Sequence, residues 1–264
     1  MILPDNIDLA NSQKYSLSIR LIPDGFSFSI FSTAEPSVFF TKAIKFNNTQ
    51  SYVDNLKRVF FEVNLFSQPY KKVVITSVST RYTLVPDKYY DKRSQQKLFD
   101  FNFVETADKI LSNKVELIDA HIIYDMDEEV YAFLHRTLWN GNYMHVTAHL
   151  LPVFTTHKAN EFDKRCFVEL DDTMLTIVCF EHQRLLSVNS YTVNDQLDAP
   201  YHVVNIWEKL KLDQNKDGLF LSGDLAKHQS LVDLLKQLIR HVGLFKISAT
   251  YNETEVPTDL QIQL

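Results

Sequence analysis

Apolar and polar residues alternate along Tyr15-Ser-Leu-Ser-Ile-Arg-Leu-Ile-Pro-Asp-Gly-Phe-Ser-Phe-Ser-Ile-Phe31, on both sides of Asp24-Gly25. A period of two puts alternate side chains on opposite faces of a strand, and Asp-Gly suits the tight turn between two strands. The segment therefore predicts a β-hairpin. A third strand is expected over Val38–Phe46. The period then changes. Ser51 has the short oxygen-bearing side chain of a helix N-cap, and Val53, Leu56, Phe60 and Val63 recur at helical spacing through about Phe66. The apolar run Lys72–Val78 reads as a buried strand. The order is β-β-β-α-β.

A later segment repeats it. Cys166–Leu170 and Met174–Phe180 flank the turn Asp171-Asp172-Thr173, and a third strand is expected over Leu185–Tyr191. A helix begins near Asp198-Ala-Pro200, with proline suited to its first turn, and would bury Val203, Ile206, Trp207 and Leu210. The strand Leu219–Leu221 follows, then Ser222-Gly223-Asp224. The offset is 147 residues from Asp24 to Asp171 and from Ser51 to Asp198, and 146 from Val73 to Leu219. So constant a spacing predicts an internal structural duplication, with a first subdomain over 1–160 and a second over 161–264.

Between the copies the pattern predicts a polar helix over Asp87–Asp100, a strand over Val115–Ile123, a helix from Asp127 to Leu138 and a strand over Tyr143–Phe154. The last helix is expected to be capped by Asp224. Its stripe would be Leu231, Leu234, Leu235, Leu238 and Val242, with His241 in its last turn and Gly243 as its stop. A final strand is expected over Phe245–Thr250.

Composition narrows the function classes. The chain has 264 residues and 5 glycines, where average usage of ~7% would give about 18. Loops that cradle phosphates need glycine for close backbone approach, so a P-loop or dinucleotide fold is not expected. Net charge is −6. Residues 1–160 hold 17 basic and 17 acidic residues, while 161–264 hold 10 and 16. No basic stripe marks a nucleic-acid partner. No apolar run approaches the ~20 residues of a membrane span, so membrane insertion is not expected. Met1–Leu9 lacks the basic and apolar regions of an export signal. Cys166 and Cys179 are too few for a disulfide framework. They read as two buried free thiols in a reducing, cytoplasmic setting.

Two copies of β-β-β-α-β, each opening with a hairpin, resemble the actin-like ATPase superfamily, a ribonuclease H-like α/β fold in which each subdomain has a mixed sheet beginning with a hairpin. That superfamily includes actin, sugar kinases, chaperone ATPase domains and scaffold proteins of pilus and secretion systems. Its two phosphate-holding hairpins resemble Ile19–Ile30 and Phe167–Ile177, and its adenosine motif resembles Leu219–Leu235. The run Tyr15–Phe31 together with the C-terminal segment also resembles an uncharacterised bacterial family assigned an actin-like fold. The resemblance implies Mg-ATP as cofactor, with Asp24, Gly25, Asp171, Asp172, Thr173 and Gly223 as the residues that would face a nucleotide.

The departures are specific. Active members carry Asp-x-Gly followed by Thr or Ser in the first hairpin; here Pro23-Asp24-Gly25 has no intervening residue, and Pro23 removes a donor. The second hairpin has Asp171 and Asp172 but no glycine. The adenosine turn keeps only Gly223 of the usual pair. Without basic partners, Asp171 and Asp172 would repel triphosphate unless Mg²⁺ bridged them. The expectation is a non-catalytic or vestigial actin-like protein with no bound cofactor, two subdomains facing a cleft, and a protein partner or a second copy as ligand. A weak Mg-dependent ATP-binding protein, ATPase or kinase is the alternative.

Three further constellations carry weaker signals. Asp213-Gln-Asn-Lys-Asp-Gly-Leu-Phe-Leu-Ser-Gly-Asp224 matches a calcium loop at positions 1, 3, 5 and 6, but has Leu221 at position 9 and Asp224 at position 12. A polar helix-to-strand turn is the preferred reading, with a calcium-regulated interaction protein as a second alternative. His145 and His149 have zinc-ligand spacing only on a helix; on the expected strand they would stand some 13 Å apart at ~3.3 Å per residue. Asp125–Glu129 most simply serves the positive N-terminus of the following helix.

Overall fold

The computed structural model describes residues 4, 7–35, 38–47, 49–157, 159, 161–171, 173–195, 197–223, 225–245, 250–251 and 254–255. The chain forms two compact units. One comprises Met1–Val115, Asp119–His149 and Ala249–Leu264; the other comprises Glu116–Ile118 and Leu150–Ser248.

In the first unit, β1 (Ser16–Ile22) and β2 (Gly25–Phe31) form the expected hairpin, closed where Ile22 faces Gly25. β3 (Phe39–Lys45) pairs antiparallel with β2, and β4 (Lys72–Ser77) pairs parallel with β1. Helix α1 (Tyr52–Glu62) begins where expected: the Ser51 hydroxyl accepts the Asp54 amide and donates to its carboxylate, 2.7 Å away. Val53, Leu56 and Phe60 are buried against Leu17, Ile19, Phe26, Phe28 and Ile75 of the sheet.

A smaller antiparallel sheet follows, in the order β5 (Tyr82–Pro86), β7 (Ala120–Met126), β6 (Lys109–Val115), with helix α2 (Gln95–Asn102) packed on it through Phe99. Two expectations are corrected here. The polar helix over Asp87–Asp100 is replaced by 3-10 turns at Asp87–Tyr89 and Lys92–Ser94 followed by α2. The single strand over Val115–Ile123 is broken by a 3-10 turn at Glu116–Ile118 and by Asp119 at φ +50°, a left-handed conformation that aspartate tolerates better than most residues.

Helix α3 (Glu128–Thr137) is capped by Asp127, whose carboxylate accepts the Val130 amide at 2.8 Å. β8 (Gly141–His145) then joins β4 in parallel. The expected strand over Tyr143–Phe154 ends at His145, and α4 (Val146–Thr156) begins immediately. Val146, Ala148, Leu150, Leu151 and Phe154 are all buried. A helix apolar around most of its circumference has no periodicity to distinguish it from a buried strand.

The second unit contains β9 (Lys164–Leu170), β10 (Met174–Glu181), β11 (Arg184–Thr192), α5 (Asp198–Lys209), β12 (Gly218–Gly223), α6 (Gln229–Leu238) and β13 (His241–Leu244). The first unit's main sheet has the order β3-β2-β1-β4-β8, and this one has β11-β10-β9-β12-β13. Each has an antiparallel hairpin extended by a third antiparallel strand on one side and two parallel strands on the other. The core sets Cys166, Val168, Leu170, Leu175, Ile177 and Cys179 against Val203, Ile206 and Trp207 of α5 and Leu231, Val232 and Leu235 of α6. The expected last helix is corrected at both ends: it begins at Gln229, with His228 rather than Asp224 in the capping position. It stops at Leu238, His241 and Gly243 lie in β13, and Leu234 and Leu238 are exposed. Asp224, and residues 246–249 of the strand expected over 245–250, lie outside the described residues.

Candidate functional site

At the first hairpin turn, Pro23 and Asp24 are exposed and Gly25 is buried. The Asp24 carbonyl accepts the Phe46 amide at 2.9 Å. Its carboxylate lies 3.9 Å from the Lys45 ammonium, an ion pair open to solvent on both sides and so of little energetic weight. The Gly25 carbonyl accepts the Tyr52 hydroxyl at 2.8 Å. Burial first, and the charge of Asp24 second, push the Tyr52 hydroxyl above its ordinary pKa, which keeps it a donor. A β-carbon on Gly25 would stand 2.1 Å from the Ile44 carbonyl oxygen. The glycine is required by the approach of β3.

The second turn belongs to the other unit. The Asp171 amide donates to the Met174 carbonyl, and the Thr173 carbonyl accepts the Val193 amide, both at 2.9 Å. Asp172 lies outside the described residues. Gly223 pairs with Leu170 at the ends of β12 and β9, so the sheet brings Asp171, Thr173 and Gly223 to one corner. Gly223 has φ +98°, and a β-carbon there would lie 1.9 Å from the Leu170 carbonyl oxygen. This glycine too is claimed by a neighbouring strand.

Pattern reasoning passed over two charged residues. Arg20 and Glu169 are both buried, and each pairs in register with a hydroxyl-bearing residue on the adjacent parallel strand, Thr76 and Ser222 respectively. The Ser222 hydroxyl donates to the Glu169 carboxylate. The available signal was a lone charge inside an otherwise apolar strand, Phe167-Val-Glu-Leu170.

The histidines also differ from expectation. His145 ends β8 and His149 lies in α4, so the strand spacing does not apply. The His145 amide donates to the Asn113 side-chain carbonyl at 2.8 Å; His145 Nδ1 accepts the Thr147 amide at 3.2 Å, and Nε2 lies 3.1 Å from the Ser79 carbonyl. That pattern selects the neutral tautomer protonated at Nε2. Burial lowers its pKa to about 3. His149 Nε2 lies 3.1 Å from the Thr76 hydroxyl, and burial, then the charges of Arg20 and Lys72, lower its pKa to about 4. Among the described residues, no three His, Cys, Asp or Glu side chains form a group able to hold a metal ion.

The segment 213–223 folds as a helix-to-strand turn. Asp217 is buried and its carboxylate accepts the Asp213 and Lys164 amides at 2.6 and 3.2 Å, while Asp213 accepts the Asn215 amide at 2.8 Å. β12 starts at Gly218, at position 6 of the calcium pattern.

The paired sheets and their helices define an actin-like ATPase fold. The chain belongs to the family described as "Protein of unknown function (DUF3822)", whose model matches residues 4–242. The crystal structure of a Bacteroides thetaiotaomicron protein with actin-like ATPase fold and unknown function is similar, with a TM-score of 0.79 and 29% identity over 90% of this chain and 93% of that one. The PilM-PilN type IV pilus biogenesis complex is more distant, with a TM-score of 0.52 and 11% identity over 88% of each chain. No curated protein matches the sequence.

Proposed function

We propose that this protein is a non-catalytic binding or scaffold module that keeps the actin-like frame and has a degenerate nucleotide site. The observation that carries the reading is the placement of its glycines. Gly25 and Gly223 are the two glycines among the residues the resemblance would assign to a nucleotide, and each is held against the carbonyl of its own sheet, Ile44 and Leu170. The turn at 171–173 has no glycine, and Pro23 contributes no amide donor. Backbone donors aimed at phosphates are what such sites require. The fold-level likeness to a chain of a two-protein pilus complex favours a partner-binding role. The identical strand orders support an internal duplication. A cytoplasmic setting is part of the same proposal; no helix among the described residues is long and apolar enough to cross a membrane.

The weak ATP-binding alternative keeps one supporting observation, the meeting of Asp171, Thr173 and Gly223 at one sheet corner. Thermal unfolding at millimolar MgATP tests the two readings. A scaffold shows no rise in Tm; a nucleotide-binding protein shows a rise that Asp171→Ala abolishes.

A further inference from the structure

The α5 and α6 helices leave an apolar trough on the surface of the second unit. Leu197 and Tyr201 are 72% and 66% exposed on one side, and Leu234 and Leu238 are 36% and 41% exposed on the other. Singly exposed apolar residues are ordinary, but these four line the same groove of about 360 Å³, together with Pro200, Val204 and Glu208. Leu234 and Leu238 are four residues apart, so they form a ridge along α6. Two ridges flanking a trough are the geometry into which a third helix packs.

The shape of the trough and its charge select the occupant. Among the residues lining the groove, the charged one is Glu208, and residues 161–264 hold 16 acidic against 10 basic residues. We propose that this groove docks an amphipathic helix of a partner protein, with its apolar face on Leu197, Tyr201, Leu234 and Leu238 and a lysine or arginine paired with Glu208. The proposal rests on the reading of the chain as a binding module and names where, and with what chemistry, it binds.

The test uses the full chain and a labelled synthetic helix of about 14 residues, ~21 Å long, with leucines at i, i+3, i+4 and i+7 and lysines on the flanks. Fluorescence anisotropy is expected to show saturable binding that Leu234→Asp and Glu208→Lys each weaken by about tenfold or more. A peptide with glutamates in place of its lysines is expected to recover affinity for Glu208→Lys. Both leucines are exposed, and Leu238→Asp serves as a second variant if Leu234→Asp lowers Tm. Absence of binding, or binding indifferent to these substitutions, overturns the proposal. Sedimentation showing a dimer that Leu234→Asp dissociates also overturns it, in favour of a second copy. A Tm rise with MgATP alone would instead count against the degenerate site and leave the peptide result standing.

Discussion

Gly223 and the Leu170 carbonyl are packed so closely that the sheet by itself accounts for the glycine. Gly223→Ala is expected to cost at least ~2 kcal/mol, from the positive φ and from the separation forced between β9 and β12. Urea denaturation measures it. A neutral substitution would mean that the glycine answers to something other than the strand beside it.

The two buried histidines predict an acid-sensitive fold. Their folded pKa values, about 3 for His145 and about 4 for His149, lie below the ordinary 6.5. Between those values the unfolded chain binds more protons than the folded one, so stability falls as pH drops below about 6.5. Each histidine contributes up to ~1.4 kcal/mol per pH unit across its window. The urea midpoint is expected to fall from pH 7 to pH 5, with a smaller fall in His149→Gln.

Cys166 and Cys179 face each other across β9 and β10, and both are fully buried free thiols. The contact with Cys179, then burial, pushes the Cys166 thiol well above its usual pKa. A thiol reagent such as Ellman's is expected to find neither cysteine in the native protein and both in denaturant. Fast reaction of either in the native state would contradict the packing of the second core.

Removing the caps gives a local measure of how far α1 and α3 depend on their first turns. Ser51→Ala and Asp127→Ala are each expected to lower stability by ~1 kcal/mol, read from denaturation midpoints. A change below a few tenths would show that water replaces the cap.

Much of the frame was legible because local chemistry and global fold agree. Asp24-Gly25 marks a hairpin, Ser51 and Asp127 mark helix starts, and the constant offset between the halves anticipates two sheets of one order. The failures share a physical origin, since pattern reports a residue's neighbours in sequence and not what lies across from it. α4 is apolar on most sides and so reads as a strand. Asp119 breaks β6 from β7 through a backbone conformation that the sequence only permits. Leu234 and Leu238 have core-like spacing but face outward, because α6 buries Leu231, Val232 and Leu235 instead. Near the candidate site, the scarcity of glycine was visible, but its meaning depended on Ile44 and Leu170, whose approach is tertiary. Glu169 was passed over because its partner Ser222 is 53 residues away.

The central claim is that the frame persists without a working nucleotide site. Titration calorimetry of MgATP into the purified chain tests it most directly. The account predicts no binding heat at millimolar nucleotide, in the wild type and in Asp171→Ala alike. A saturable heat in the wild type that disappears in Asp171→Ala would contradict it.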